Sequence, residues 1–473
     1  MNELFRRSNP GELPHRFAPR AMPSGRFPLA AALSLLAVAF GVLPVASGTL
    51  DPAQVKETVL PSGLRLIVKE SRASDLASVQ VWVRAGGFRE DAASAGTAHV
   101  IEHLVFKGTE TRGPGSIDEE VENLGGMLEA STEKDWTRFS CTVAGRYVGK
   151  VISVVGDTVR NPKFRIEDFE AEKPVILEEI NQVPLNPEAG IARALYQLAF
   201  KQHPYRFDVR GSAQFINKLD LERVRAYYRK HYVPSNMLVV VVGNADPAGV
   251  ERAVRAAFQA DQVAPKPAET ALAPDEVACA KPERLEVTTP LNTGFVGLAY
   301  PAPSVKQEPD VYAMDLLLTM LEHGGVGRLP RALKSVGGVE ATFETRRQPG
   351  ILYVIAATGP ENTSQVEGLL RRELDFITSH PIPANELDVA KRILHGSYAL
   401  DSETFTGQAA TLGYYASIDR WQFATDYLRK VDAITVEQVQ ATAQKYLNQE
   451  HSVAVLLKPR TVPRVEPPRS NGT

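Results

Sequence analysis

His99-Val100-Ile101-Glu102-His103 sets two imidazoles four residues apart with a carboxylate between them. On a helix the two histidines share one face, about 40° apart at 3.6 residues per turn. One metal ion could then take a nitrogen from each. Glu102 lies on nearly the same side, within reach of a water beside that metal. Two ligands and a general base are the minimum for metal-assisted hydrolysis. The order His-x-x-Glu-His inverts the His-Glu-x-x-His arrangement, in which helix-borne histidines bind zinc.

A catalytic zinc site usually has three protein ligands and one open position. None of the other seven histidines forms a cluster, so a carboxylate is the expected third ligand. The acidic stretch from Glu172 to Gln182 offers Glu172, Glu178 and Glu179. Read as a helix, it places Glu172 and Glu179 two turns apart on one face, with Val175, Ile176 and Ile180 available to a core. Glu178 points about 100° away from Glu179. Pro174 fits best in a first helical turn, which puts Glu172 at the helix start, where a charge is also favoured by the helix dipole. Spacing alone does not choose among the three carboxylates.

With these residues the region resembles the pitrilysin and mitochondrial-processing-peptidase family of inverted-motif zinc metallopeptidases, in its bacterial two-domain type. His103 is followed by Leu104-Val105-Phe106-Lys107-Gly108-Thr109, as that family favours. Glu179 falls 76 residues after His103, the family's spacing for the third ligand. Glu172, seven residues earlier, matches a second family glutamate that supports the site. The resemblance implies that His99, His103 and Glu179 hold one zinc ion, with Glu102 as the base and Glu172 assisting. It also implies paired α+β domains that close, clamshell-like, around a peptide.

The elements that carry these residues read as an α+β fold of two homologous domains, each a mainly antiparallel sheet covered by helices. Strands are expected at 63–68 and 79–85, and a helix at 117–124. Leu219–Val224 opens an amphipathic segment that leads to the β-rich run Met237–Val242. Exactly the same order recurs 215 positions later, from Ile434–Val439 to Val453–Leu457, which points to duplication. The expected boundaries are a zinc-bearing domain over 49–262, a Pro/Ala-rich linker over 263–284, a homologous domain over 285–459 and a disordered tail over 460–473. The second half has no His-x-x-Glu-His, and the resemblance implies one metal site per pair of domains.

At 473 residues, with 44% hydrophobic and 23% charged residues, the chain is an ordinary globular protein of at least two domains. Its net charge of −3, with no basic patch among aromatics, points to neither nucleic acid nor an anionic membrane surface. Five arginines precede an apolar run from Phe27 to Val45, followed by Ala46-Ser47-Gly48. This reads as a signal peptide over 1–48, and export to a bacterial periplasm is expected. The stretch before Arg26 is long for such a leader, and Met22 is an alternative start. The run is also long enough for a single-span anchor. The two cysteines, Cys141 and Cys279, are expected as buried or free thiols rather than a disulfide.

Two further stretches bear on substrate. Gly125–Thr137 resembles the family's edge strand, to which an extended peptide adds through main-chain hydrogen bonds. Glu129 and Ala130 are therefore expected at the substrate, with Glu129 where the family usually has Asn. Members that work with their own second domain carry an Arg and a Tyr seven apart there. On the alignment Lys334 and Ala341 take those places, while Arg346 and Tyr353, also seven apart, lie past the motif. The resemblance then implies a heterodimer with a zinc-free homologous subunit that supplies the Arg/Tyr pair, the alternative being a homodimer. His203 is expected to be a packed surface histidine. The resulting expectation is a zinc metalloendopeptidase for unfolded peptides or small proteins. Its alternative is a non-catalytic peptide-binding or assembly subunit of the same fold.

Overall fold

The computed structural model describes residues 50–182, 186–261 and 276–460. The leader expected over 1–48, most of the linker expected over 263–284 and the tail after Arg460 lie outside the described residues.

The first half builds a six-stranded sheet from β1 (Val55–Val59), β2 (Arg65–Glu70), β3 (Leu76–Val83), β4 (Leu128–Thr132), β5 (Thr137–Ala144) and β6 (Met237–Gly243). The second builds a five-stranded sheet from β7 (Glu283–Thr289), β8 (Gly294–Ala302), β9 (Gly337–Phe343), β10 (Gly350–Thr358) and β11 (Val453–Pro459). Their spatial orders are β1-β2-β6-β3-β5-β4 and β7-β11-β8-β10-β9. With β1 set aside, both sheets have the order first, last, second, fourth, third. Each contains a single parallel pair, β2 with β6 and β7 with β11; the other pairings are antiparallel. The helices before β6 and β11, Leu221–His231 and Val436–Tyr446, start 215 residues apart, each capped by the residue before it, Asp220 and Thr435. The fold is thus two sheet-plus-helix domains of one design.

β6 is buried along its whole length, and β3 from Ala77 onward. Such runs lack polar alternation because both faces of the sheet are covered. One face packs on helices Thr97–Val105 and Val148–Arg160 through a core that includes Val79, Val81, Phe139, Val239 and Val241. The other face, with Trp82, Leu238, Val240 and Val242, meets a helix from the second half, Phe405–Ile418. This crossing helix comes so close that a Cβ on Gly413 would sit 2.2 Å from the Trp82 indole nitrogen. The exchange is reciprocal. Helix Pro187–Ala199 of the first half lies on β8, β10 and β11, where Ile191 and Leu195 pack among Phe295, Ala299, Ile351 and Val455. Guanidinium groups fix the crossing helix at its C-terminal end. Arg65 Nη1 and Arg84 Nη2 donate to Ala416 O at 2.7 and 2.9 Å, and Arg347 Nη2 donates to Ser417 O. Cations there also oppose the helix dipole.

Cys141 and Cys279 are both buried free thiols. His203 corrects an expectation: it is 3% exposed rather than on the surface. Its Nδ1 accepts from the backbone N–H of Tyr205, and its ring packs at a tilt against Phe200 and Tyr205.

Candidate metal centre

The motif histidines lie on the nine-residue helix Thr97–Val105. Val100, Ile101 and Leu104 bury its inner face, which turns His99 and His103 outward together. Its N-cap, Gly96, has a left-handed backbone (φ 98°) and no capping side chain. The orphan N–H groups are satisfied from elsewhere. Glu90, 3% exposed, accepts from Gly96 N and Ala98 N, both at 2.8 Å. Burial pushes the Glu90 carboxyl up to about 7 against these backbone bonds. Gly96 also crosses Gly211 so closely that a Cβ on Gly96 would lie 2.7 Å from Gly211 Cα. That crossing fixes the 208–211 loop beside the histidines.

Glu172 and Glu179 come from helix Ile166–Gln182. The helix starts eight residues before Pro174, which corrects the expectation that Pro174 marks the first turn. Proline inside a helix loses one hydrogen bond and crowds the preceding turn, and here the buried Phe169, Ile176 and Ile180 hold the helix across it. Glu172 therefore sits in the second turn. Ile176 and Ile180 enter the core as expected, whereas Val175 is 46% exposed. Glu178 points away and bonds Gln182.

Glu179 Oε2 lies 3.5 Å from His99 Nε2 and 3.6 Å from His103 Nε2. These separations exceed an ordinary hydrogen bond. They match the edges of a tetrahedron, since metal bonds of about 2.0–2.2 Å put ligand atoms roughly 3.3–3.5 Å apart. The three ligand atoms all lie within 4.8 Å of one another, and no other such group occurs among the described residues. Burial, then His103 and Arg210, push the His99 imidazole down to about 3, so it is a neutral ligand at physiological pH. The residues fit a zinc ion.

Glu172 bonds the far nitrogen of His103, Nδ1, at 3.0 Å, and its other oxygen pairs with Lys107 Nζ at 2.6 Å. Nδ1 must carry the proton in that bond, which leaves Nε2 free as a ligand. Burial opposes ionisation of Glu172, but the Lys107 and His103 hydrogen bonds prevail and hold its carboxyl below the ordinary range. His99 lacks an equivalent, because its Nδ1 is buried with no hydrogen-bond partner among the described residues. Glu102 Oε2 is likewise buried and unpartnered. Burial pushes the Glu102 carboxyl above the ordinary carboxylate range, against a hydrogen bond from Thr132. A carboxyl raised in this way, with an oxygen unengaged, suits a general base.

Thr132 ends β4, which lies at the end of its sheet and, among the described residues, pairs only with β5. Its other edge is thus open beside Glu102. Glu129 is exposed on this strand, and Ala130 is half-buried against the core. Lys334 is exposed at the end of helix Arg328–Leu333, and Ala341 is 7% exposed in β9. Arg346, 6% exposed, is paired with Glu344 and lies 4.0 Å from Asp135. Sequence reasoning missed Glu90, Thr132, Asp208 and Arg210. None stands at a telling interval from the histidines; only the fold brings them there.

Residues 65–212 match the family described as Insulinase (Peptidase family M16), and residues 218–394 match the Peptidase M16 inactive domain. An uncharacterized zinc protease of Mycobacterium tuberculosis is 30% identical over 414 residues, covering 86% of this chain and 94% of that protein. The chain belongs to peptidase family M16. The M16 residues placed above, from His99 to Glu179, all fall within the first match. A probable mitochondrial-processing peptidase subunit beta of Arabidopsis thaliana is 25% identical, over 84% of this chain and 77% of its own length. In fold, the M16 chain is similar to the crystal structure of a protease from Helicobacter pylori. That similarity has a TM-score of 0.79 at 22% identity, over 86% of this chain and 99% of the other.

Proposed function

We propose that this M16 chain is a zinc-dependent endopeptidase that hydrolyses unfolded peptides or small proteins. The observation that carries the reading is the buried, unpartnered Glu102 oxygen on the helix whose two histidines converge with Glu179, the three ligand atoms lying within 4.8 Å of one another. A non-catalytic binding subunit has no use for that combination.

His99, His103 and Glu179 would hold one zinc ion. When bound, zinc lowers the pKa of water and polarises a carbonyl. Glu102 takes the proton of the attacking water and returns it to the leaving amine. The open edge of β4 pairs with an extended peptide and lays its backbone along the site, with Glu129 and Ala130 under the substrate. Main-chain pairing of this kind selects unfolded chains.

We further propose export, on the strength of the N-terminal apolar run. We also propose a partner, because Lys334 and Ala341 leave this chain without the Arg/Tyr pair that its family resemblance calls for. A homologous zinc-free subunit would supply it. Restored activity on adding such a chain supports the pair; full activity of a pure homodimer overturns it.

The peptidase reading is tested by incubating the purified, zinc-loaded chain and its Glu102→Gln variant with a quenched-fluorescent library of unstructured peptides, with and without the candidate partner. Cleavage that disappears in the variant supports it. Cleavage that survives the substitution, or no cleavage under either condition, refutes it.

A further inference from the structure

A separate cavity of about 260 Å³ is lined in part by Asp208 and Arg210, whose charges act on His99. It is smaller than the roughly 300–1,000 Å³ of small-molecule sites, which suits a single side chain. Helix Pro187–Ala199, the loop 206–210, the turn after β4, and strands β9 and β10 bound it. The Gly96–Gly211 crossing ties this loop to the helix bearing His99.

The lining is charged and unbalanced: five cationic side chains face three carboxyl groups. Three of the cations are already satisfied. Lys134 Nζ donates to the carbonyls of Tyr205 and Phe207 at 2.7 and 3.1 Å. Arg206 donates to Lys201 O, and Arg346 pairs with Glu344. That leaves Arg193 and Arg210, which share the single carboxylate of Asp208, each at 3.4 Å. Asp208 is further engaged by the Arg210 backbone N–H at 2.9 Å. Charge-assisted guanidinium–carboxylate bonds run at about 2.7–2.9 Å, so neither arginine is fully paired. The third carboxyl, Glu133, offsets them less, because burial and the neighbouring Glu344 push it upward.

We propose that this cavity receives a carboxylate side chain of the bound peptide, with Arg193 and Arg210 as its partners. Substrates with Asp or Glu close to the scissile bond are therefore favoured. The inference rests on the peptidase reading and names the substrate class. Glu133 and Lys134 directly follow β4, so a peptide paired with that strand passes the cavity mouth. Glu129 lies four residues earlier, about 13 Å along an extended chain. The same peptide thus meets a negative group at one end of the strand and a positive pocket at the other.

The test uses labelled extended peptides that differ only in carrying Asp, Ala or Lys at one position, scanned along the sequence. Their binding to the zinc-loaded Glu102→Gln protein is read by fluorescence anisotropy, which needs no turnover. At one position the Asp peptide should bind about tenfold tighter than the Lys peptide, equivalent to about 1.4 kcal/mol. Arg193→Gln and Arg210→Gln should bring the peptides to within about twofold. Asp208→Asn, which removes the competing carboxylate, should widen the preference. Zinc content and melting temperature are measured on every variant. If the arginine variants do not fold, the Asp208→Asn result decides. Equal affinities at all positions, a preference that survives both arginine substitutions, no widening in Asp208→Asn, or no binding of any peptide overturns the proposal. Failure of the parent chain to cleave, both with and without the candidate partner, refutes the peptidase reading separately.

Discussion

Glu172 reaches His103 from behind: its Oε2 lies 3.0 Å from Nδ1, opposite the nitrogen that faces Glu179. Lys107 holds the other oxygen of the same carboxylate. Such partners fix the tautomer and raise the basicity of a ligating histidine. Glu172→Ala should therefore weaken zinc binding by about 10–100-fold with the fold intact, and Glu172→Gln by less. Competition with a chelator of known affinity reads this directly. Unchanged affinity in both variants would show that Glu172 is only a surface partner of Lys107.

Glu90 should matter to the centre without touching it. It satisfies two N–H groups at the start of the histidine-bearing helix. Glu90→Ala leaves both buried and unpaired, at a cost of about 1–3 kcal/mol. Denaturant unfolding should show that loss, with a parallel drop in zinc affinity. Glu90→Gln, which keeps one acceptor, should fall between the variant and the parent.

Asp315 sets a pH dependence far from the metal. It is half-buried in the second half and accepts from the Tyr427 hydroxyl at 2.7 Å. Burial raises it from an ordinary 3.8 to about 7. The folded state keeps this proton up to about pH 7, whereas the unfolded chain loses it near pH 4. Between those values the folded state binds more protons, so stability falls as pH rises. The contribution lost is at most about 4 kcal/mol. Asp315→Asn should flatten the slope and be more stable than the parent at pH 8. Thermal unfolding from pH 4 to 8 checks both.

Gly413 seals the crossing helix onto Trp82. Gly413→Ala gains helix propensity but drives a Cβ into a rigid indole, and overpacking of this kind costs about 1–3 kcal/mol. Gly396, also within a helix, has open space where its Cβ would go. Gly396→Ala should be neutral or slightly stabilising. Melting curves should show a loss for Gly413→Ala and either no change or a small gain for Gly396→Ala.

Much of the centre was legible because it is local. Two histidines and a glutamate within five residues need only one helix to converge. Glu179 could be singled out from Glu172 and Glu178 by a family spacing, not by physics, since all three suit a helix that approaches from outside. The helix start is not legible, because Pro174 is the strongest local punctuation in that stretch. Tertiary burial of Phe169, Ile176 and Ile180 overrides it. Glu90 was invisible for the opposite reason: a capping carboxylate from another segment leaves no pattern near the helix it caps. The duplicated sheets were foreshadowed by one helix–strand pair recurring at 215 residues. The reciprocal exchange of helices was not, because the apolar face of Pro187–Ala199 or Phe405–Ile418 does not say which sheet it will cover.

That exchange has a mechanical consequence. Each sheet borrows part of its covering from the other half, so swinging the halves apart would strip Trp82 on one side and Phe295 on the other. Severing the chain between them should leave two fragments that stay clasped and melt in a single transition. The molecule then behaves as one stiff plate with no internal hinge at its middle. On the proposed reading, a gape wide enough to admit a polypeptide would come from this plate tilting against the proposed partner.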